Sequence, residues 1–142
     1  MEEEPPSIRP ISGNYSIVAD FGHRFHPVLK EPKMHTGIDI KAPIGTPVVA
    51  TSDGIIIKAE HGKSYGNYII IKHDDEYETR YAHLSQLKVK SGERISKGSV
   101  IGLVGNTGMS TAPHLHYEVI KNGEKVNPKD YYPDIQLSLI HI

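Results

Sequence analysis

Short runs of β-forming residues, separated by turn residues at close spacing, dominate this chain from about residue 45 onward. The runs are TPVVAT (46–51), GIIIKAE (54–60), NYIIIKH (67–73), YETRYAHL (77–84), VIGLVG (100–105) and HLHYEVI (114–120). Strands at this spacing are typical of an all-β sandwich or barrel-like fold. The segment KNGE (121–124) predicts a hairpin turn, and LSQLKV (84–89) could form one helical turn.

The length of 142 residues fits one compact domain. The start of the chain is acidic and rich in proline, which predicts a linker or flexible lead-in over residues 1–13. Residues 133–142 form a C-terminal tail that is unusually apolar. This tail could pack on the domain, face a partner or be foreign to the natural sequence.

Charge and cysteine content exclude several classes of function. The 16 basic and 17 acidic residues leave a net charge of −1, so we expect neither a nucleic-acid partner nor an anionic membrane surface. The absence of cysteine excludes a thiolate zinc site, a disulfide framework and a cysteine nucleophile. No run is long enough to span a membrane, and no signal peptide is visible. The chain is therefore either cytosolic or, as we favour, a domain of a longer exported protein.

The segment HTGID places His35 and Asp39 four residues apart, which puts both on one face of either a strand or a helix. We expect Gly37, which lies between them, to leave room in front of this face. The opposite face would then carry Thr36, Ile38 and Ile40.

Two further histidine clusters stand out among the nine histidines. In HLH, His114 and His116 share one face of a strand, while Leu115, Tyr117 and Val119 face the core. In YAHL, His83 lies near the end of a strand.

Together the three clusters supply four imidazoles and one carboxylate, which are donors that hold Zn²⁺. A catalytic zinc site needs three protein ligands and one open position. Two surplus histidines could therefore act as a base and as an acid or electrostatic partner. Spacing alone does not say which histidines bind the metal and which handle protons.

Seven segments resemble, in order and spacing, the lysostaphin/LytM-type zinc metallopeptidases, which are peptidoglycan endopeptidases. They are HTGIDI (35–40), GTPV (45–48), DG (53–54), YGNYIIIKH (65–73), YAHLS (81–85), GNTGMST (105–111) and HLHYEV (114–119). The resemblance covers residues 14–132. It implies a single all-β domain with an antiparallel sheet, little helix and an open groove between loops.

Carried over by motif, the resemblance implies one zinc ion per chain, held by His35, Asp39 and His116. It implies that His83 and His114 are the catalytic histidines that do not bind metal. One of them would remove a proton from the attacking water and the other would stabilise the oxyanion. We favour His114 as the base because it lies two residues from a ligand.

The segment FGHRFHPV (21–28) resembles the sequence before the first motif in family members that cut direct D-amino-acid cross-links. This favours a D,D-endopeptidase. The family resemblance implies peptidoglycan stem peptides as the substrate and a location outside the cytoplasm, and we expect a monomeric domain. Arg24 and His26 could line the substrate groove or be solvated.

Three rival functions remain open. The first is a non-catalytic cell-wall-binding or hydrolase-activating domain of the same fold, although all five motif positions carry the residue an active enzyme needs. The second is a histidine phosphotransfer domain, which Asp39 disfavours because an anion repels a phosphoryl group. The third is a closed structural metal site, which the surplus histidines disfavour.

Two residues have ambiguous roles at this stage. Glu118 lies on the histidine face and could either orient a ligand or be solvated. Tyr81 shares a face with His83 and could reach the site, although packing in the core is the simpler interpretation. We expect ordinary surface positions for His61, His73 and His141.

Overall fold

The computed structural model describes residues 6–11, 15–19, 21–26, 31–108 and 112–131, with the backbone alone for 23–26 and 31–35. Within these residues the strands are β1 (Ile17–Ala19), β2 (Gly22–His26), β3 (Glu31–His35), β4 (Ile38–Lys41), β5 (Pro47–Val49), β6 (Gly54–Gly62), β7 (Gly66–Lys72), β8 (Tyr77–Leu87), β9 (Arg94–Ile95), β10 (Val100–Val104), β11 (His114–Lys121) and β12 (Glu124–Val126). One turn of 3-10 helix follows at Pro128–Tyr131.

Ten of these strands form one antiparallel sheet. Its main order is β1-β4-β11-β8-β7-β6-β9, while β12 pairs with β11, and β10 pairs with both β5 and β8. Strands β2 and β3 form a separate two-stranded sheet. The predicted all-β, antiparallel fold with little helix is confirmed, and each of the six predicted runs contains a strand.

The helical turn suggested for 84–89 is wrong. Strand β8 continues to Leu87, which pairs with Gly102 of β10. The second half of β8 thus gains hydrogen bonds from a neighbouring strand, and these outweigh the weak helical pattern of a six-residue segment.

The hydrophobic core lies under the centre of the large sheet. The predicted inward side chains of β11 are fully or almost fully buried, as are Ile38 and Ile40 of β4. Because alternate side chains of a strand point to opposite faces, this burial fixes which residues of both strands face the other way. Those outward positions carry the candidate site.

The turn between β11 and β12 has the geometry that the sequence predicts. Asn122 and Gly123 both have positive φ, at 52° and 81°, which is what a type I′ hairpin turn demands. The turn holds Lys121 opposite Glu124.

Residues 6–11 lie on the domain, although a flexible lead-in was expected there. The backbone N–H of Ser7 donates to the Thr51 carbonyl, and that of Val49 donates to the Pro10 carbonyl. Ile11 is buried in the core.

The predicted boundaries at 13/14 and 132/133 remain predictions, and the tail 133–142 with His141 lies outside the described residues. No helix in the described part of the chain is long and apolar enough to cross a membrane.

Candidate metal centre

Asp39 and His116 stand opposite each other where β4 pairs with β11. Asp39 Oδ1 lies 2.8 Å from His116 Nδ1 and 3.5 Å from His114 Nε2. His116 is buried, whereas Asp39 and His114 are half-buried. The predicted common face of His114 and His116 is therefore confirmed, and cross-strand pairing adds Asp39 to it.

His83 reaches the same place through an irregularity in β8. Its φ is +64°, a left-handed conformation that costs energy for a residue with a side chain, and its N–H donates to the Tyr65 carbonyl at 2.7 Å. The pairing of β7 with β8 shifts register at this level. As a result, the His83 ring lies 4.8 Å from the ring of His114 and 6.1 Å from that of His116, between centroids. Tyr81 instead points into the core, so the packing interpretation is correct.

The two histidines that were not predicted to bind zinc are both held by a hydrogen bond at the same ring nitrogen, Nδ1. His83 Nδ1 lies 2.7 Å from the Thr107 carbonyl, and His114 Nδ1 lies 2.8 Å from the Ala112 carbonyl. A carbonyl can only accept, so each Nδ1 carries the proton and Nε2 is the nitrogen left for chemistry. Burial lowers the pKa of His83, which favours its neutral form.

His116 lies between two carboxylates. Its Nε2 is 2.8 Å from Glu118 Oε2, while its Nδ1 faces Asp39. Burial of the ring disfavours the cation, but the hydrogen bonds and charges of Asp39 and Glu118 outweigh burial and raise the pKa of His116 to about 9. Burial also opposes ionisation of Glu118, yet hydrogen bonds from His116 and Thr36 lower its pKa to about 2. In the metal-free protein His116 is therefore a cation at neutral pH.

Glu118 is the main site residue that the sequence left undecided. Its side chain is fully buried, so the solvated interpretation is wrong. The alternation of β11 predicts which face Glu118 occupies, but not that Thr36 and Tyr65 cover this face. Tyr65 was also missed because its segment SYGN carries only a turn signal.

Gly37 serves a different purpose from the one predicted. A Cβ at this position would overlap the carbonyl oxygen of Tyr117 and lie 2.9 Å from Glu118 Cγ. Glycine therefore lets the chain before β4 approach β11, and it does not leave room in front of the site. Thr36 was expected on the core side, but its hydroxyl donates to Glu118 at 2.6 Å, on the histidine side.

The oxygen of Asp39 and the nitrogen of His116 are donor atoms that suit a zinc ion. They supply two of the three expected ligands. Asp39 Oδ1 and His116 Nδ1 converge, and these two atoms would hold a metal once the Nδ1 proton is released. Among the described side chains no three His, Asp or Glu residues form a metal-binding group. The side chain of His35, the third predicted ligand, lies outside the described residues, as do those of Arg24 and His26. The backbone of His35 pairs with Gly22 in the β2–β3 sheet.

Two other histidines take part in hydrogen bonds outside this cluster. His61 bonds to Asn67 on the surface, as expected for an ordinary surface residue. His73 is more than a surface residue, because its two ring nitrogens contact the Asp53 carbonyl and the Thr79 hydroxyl.

Comparison with known proteins identifies relatives over most of the chain. The model of peptidase family M23 matches residues 33–128. The peptidoglycan DD-endopeptidase ShyA of Vibrio cholerae is 45% identical over 119 residues, which cover 83% of this chain and 28% of ShyA. This chain thus spans little more than a quarter of that relative.

Two solved structures share the fold. A zinc containing peptidase from Vibrio cholerae superposes with a TM-score of 0.84 and 37% identity, covering 92% of this chain and 41% of the other. The catalytic domain of lysostaphin from Staphylococcus simulans superposes with a TM-score of 0.74 and 34% identity, covering 82% and 91%.

Proposed function

Because this chain belongs to peptidase family M23, we propose that it is a zinc-dependent endopeptidase that hydrolyses peptide cross-links in bacterial peptidoglycan. Similarity to ShyA, whose name gives it as a peptidoglycan DD-endopeptidase, supports D,D-endopeptidase specificity. Because peptidoglycan lies outside the cytoplasm, we propose that the domain acts there. We propose that the domain acts as a monomer with one zinc ion.

One observation carries this proposal: the pairing of Asp39 with His116 across β4 and β11, with two further imidazoles beside them. Together with the proposed ligand His35, the carboxylate, the buried imidazole and the two supported histidines make five donors, one more than the four that close a structural site. The arrangement suits hydrolysis, which needs ligands for a metal and separate groups that move protons.

We assign His35, Asp39 and His116 as the zinc ligands. When bound, zinc supplies a Lewis acid for the scissile carbonyl and makes a water molecule acidic enough to lose a proton near neutral pH. Asp39 and His116 provide one oxygen and one nitrogen donor from paired strands, so the sheet itself fixes their separation.

His83 and His114 share the proton transfers in this proposal. Each donates Nδ1–H to a backbone carbonyl, which prevents the ring from rotating and commits Nε2 to the reaction. One ring accepts the proton of the attacking water at Nε2 and passes it to the leaving amine. The other ring must carry a second proton on Nε2, as an imidazolium, to donate to the oxyanion and stabilise it. The sequence-based preference for His114 as the base remains a prediction.

Digestion of defined muropeptides tests the proposal. We expect the zinc-loaded protein to release the products of D,D-cross-link cleavage, identified by mass, and a chelator to abolish this release until zinc is restored. Binding of peptidoglycan without turnover would instead support the non-catalytic domain. Incorporation of phosphate from a phosphocarrier would support the phosphotransfer alternative.

A further inference from the structure

Glu118 is a carboxylate that the proposed reaction does not use, yet it is fully buried beside a proposed metal ligand. A charged group in such a place is costly unless it is well hydrogen-bonded. Its oxygens accept from Thr36 Oγ1 at 2.6 Å and from Tyr65 OH at 2.8 and 3.0 Å. The cations of Lys125 and Arg80 lie 3.5 and 4.0 Å away and balance its charge.

The remaining bond of Glu118 goes to His116. Two residues apart on one strand, they share a face, and Glu118 Oε2 lies 2.8 Å from His116 Nε2. An ionised carboxylate can only accept, so Nε2 carries a proton and is not available to a metal. The nitrogen left for coordination is Nδ1, which is the one that faces Asp39.

The same carboxylate ties together three parts of the chain. Thr36 directly follows His35 at the end of β3, and Tyr65 directly precedes β7. The ring of Tyr65 also lies nearly parallel to that of His116, 6.1 Å away and inclined by 27°. Glu118 therefore restrains the ring of one proposed ligand and the backbone next to another.

We propose that Glu118 is a positioning residue that selects Nδ1 of His116 as the metal-binding nitrogen and holds this ring against Asp39. Hydrogen bonds from ligating histidines to carboxylates fix the tautomer and orientation of the ring, and losing one typically weakens metal binding by about 10–100-fold. This inference rests on the metal site of the proposed function but not on its substrate.

The first test uses the unaltered protein and so does not depend on whether a variant folds. Long-range ¹H–¹⁵N spectra of the zinc-loaded protein report which nitrogen of His116 is protonated. We expect a protonated Nε2 and a metal-bound Nδ1. A metal-bound Nε2 overturns the proposal.

The second test compares zinc affinities, measured by competition with a chromogenic chelator. We expect Glu118→Ala to bind zinc about 10–100-fold more weakly and to lose the Nε2–H signal. Glu118→Gln keeps an oxygen that can accept from Nε2, so it should restore part of the affinity and the signal. The exposed Glu124→Gln, on β12, is the matched control and should bind zinc as the unaltered protein does.

Zinc affinity within twofold of the unaltered protein in both Glu118 variants, with the same His116 signals, would overturn the proposal. Because zinc binding is measured without substrate, failure to cleave muropeptides would count against the proposed function alone. Circular dichroism of each metal-free variant establishes that a loss of affinity is not a loss of the fold.

Discussion

Four side chains from three strands meet at the candidate centre, and two kinds of hydrogen bond hold them. Asp39 and His116 are paired across strands, whereas His83 and His114 are each anchored by a backbone carbonyl. Asp39 and His116 therefore share a proton with each other, whereas the rings of His83 and His114 are held in place by the backbone. This difference predicts different consequences of removing these side chains.

Single alanine variants should separate metal binding from turnover. Asp39→Ala and His116→Ala remove proposed ligands, so we expect both to lose zinc and activity together. His83→Ala and His114→Ala should keep zinc and lose turnover by about 10²–10⁴-fold, the usual contribution of general acid–base catalysis. Zinc titration and muropeptide cleavage measure the two effects.

The surface residue His61, which bonds to Asn67, provides the control. His61→Ala should leave both zinc binding and cleavage unchanged. Normal cleavage by His83→Ala and His114→Ala would show that the assigned division between ligands and proton carriers is wrong.

Substitution of Gly37 tests how closely the chain before β4 must approach β11. An added Cβ would overlap the Tyr117 carbonyl, so Gly37→Ala should destabilise the protein by about 1–3 kcal/mol and weaken zinc binding as Asp39 moves away from His116. Thermal unfolding and chelator competition measure the two effects.

Gly123→Ala serves as the comparison at the β11–β12 turn. A Cβ there meets nothing within 4 Å, but φ is +81°, so alanine should cost about 1–2 kcal/mol. Its zinc affinity should not change. Equal zinc affinity in Gly37→Ala would contradict the close-approach explanation.

At the scale of strands, a network of buried hydroxyls joins β8 to the segment that follows β5. Tyr81 OH lies 3.1 Å from Thr51 Oγ1 and 2.7 Å from Thr79 Oγ1. Tyr81→Phe leaves both partners short of a bond in the core, so we expect a loss of about 1–3 kcal/mol in the free energy of unfolding. Tyr68→Phe, which removes only an exposed bond to Glu60, should change it by less than about 0.5 kcal/mol. Urea denaturation of both variants gives the comparison.

The sequence predicted the strands that lie largely within apolar runs and missed most of those that do not. Strands β5, β6, β7, β8, β10 and β11 lie largely within apolar runs, and the hairpin turn at 121–124 predicts β12. Strands β1, β2, β3 and β9 have at most five residues and no such pattern. These shorter strands depend on neighbours that are distant in sequence, and local pattern does not reveal such neighbours.

The residues of the candidate site could be predicted only in part, because local sequence does not show which distant segments meet. Alternation placed His114 and His116 on one face, but it also grouped His83 with Tyr81. The left-handed backbone at His83 and the register shift beside it reverse that grouping. Neither feature has a signal in the letters YAHL, and the cover over Glu118 comes from remote loops.

At the scale of the whole molecule, the charges in the centre make stability depend on pH when no metal is bound. His116 has a pKa of about 9 in the folded protein and 6.5 as the ordinary value, so its contribution is complete below pH 6.5 and is lost as pH rises through 9. Glu118 has a pKa of about 2 against an ordinary 4.5, so its contribution is complete above pH 4.5 and is lost as pH falls through 2.

From these two groups we expect the metal-free protein to be most stable between about pH 4.5 and 6.5. Chemical denaturation in the presence of a chelator, repeated from pH 4 to 9, measures this profile. The decline above pH 6.5 should shrink in His116→Asn, which has no cation for Asp39 and Glu118 to stabilise. A profile that is flat to pH 9 in the unaltered protein would contradict the assignment.

The pairing of β4 with β11 links the chemistry of the domain to the fidelity of its folding. Ile38 and Ile40 are fully buried on either side of Asp39 in sequence. A slip of one residue would turn Asp39 inward and both isoleucines outward, so a molecule with this slip would lose its hydrophobic packing and the Asp39–His116 pair in the same event. Burial of the two isoleucines thus protects the Asp39–His116 pair against a slip of one residue.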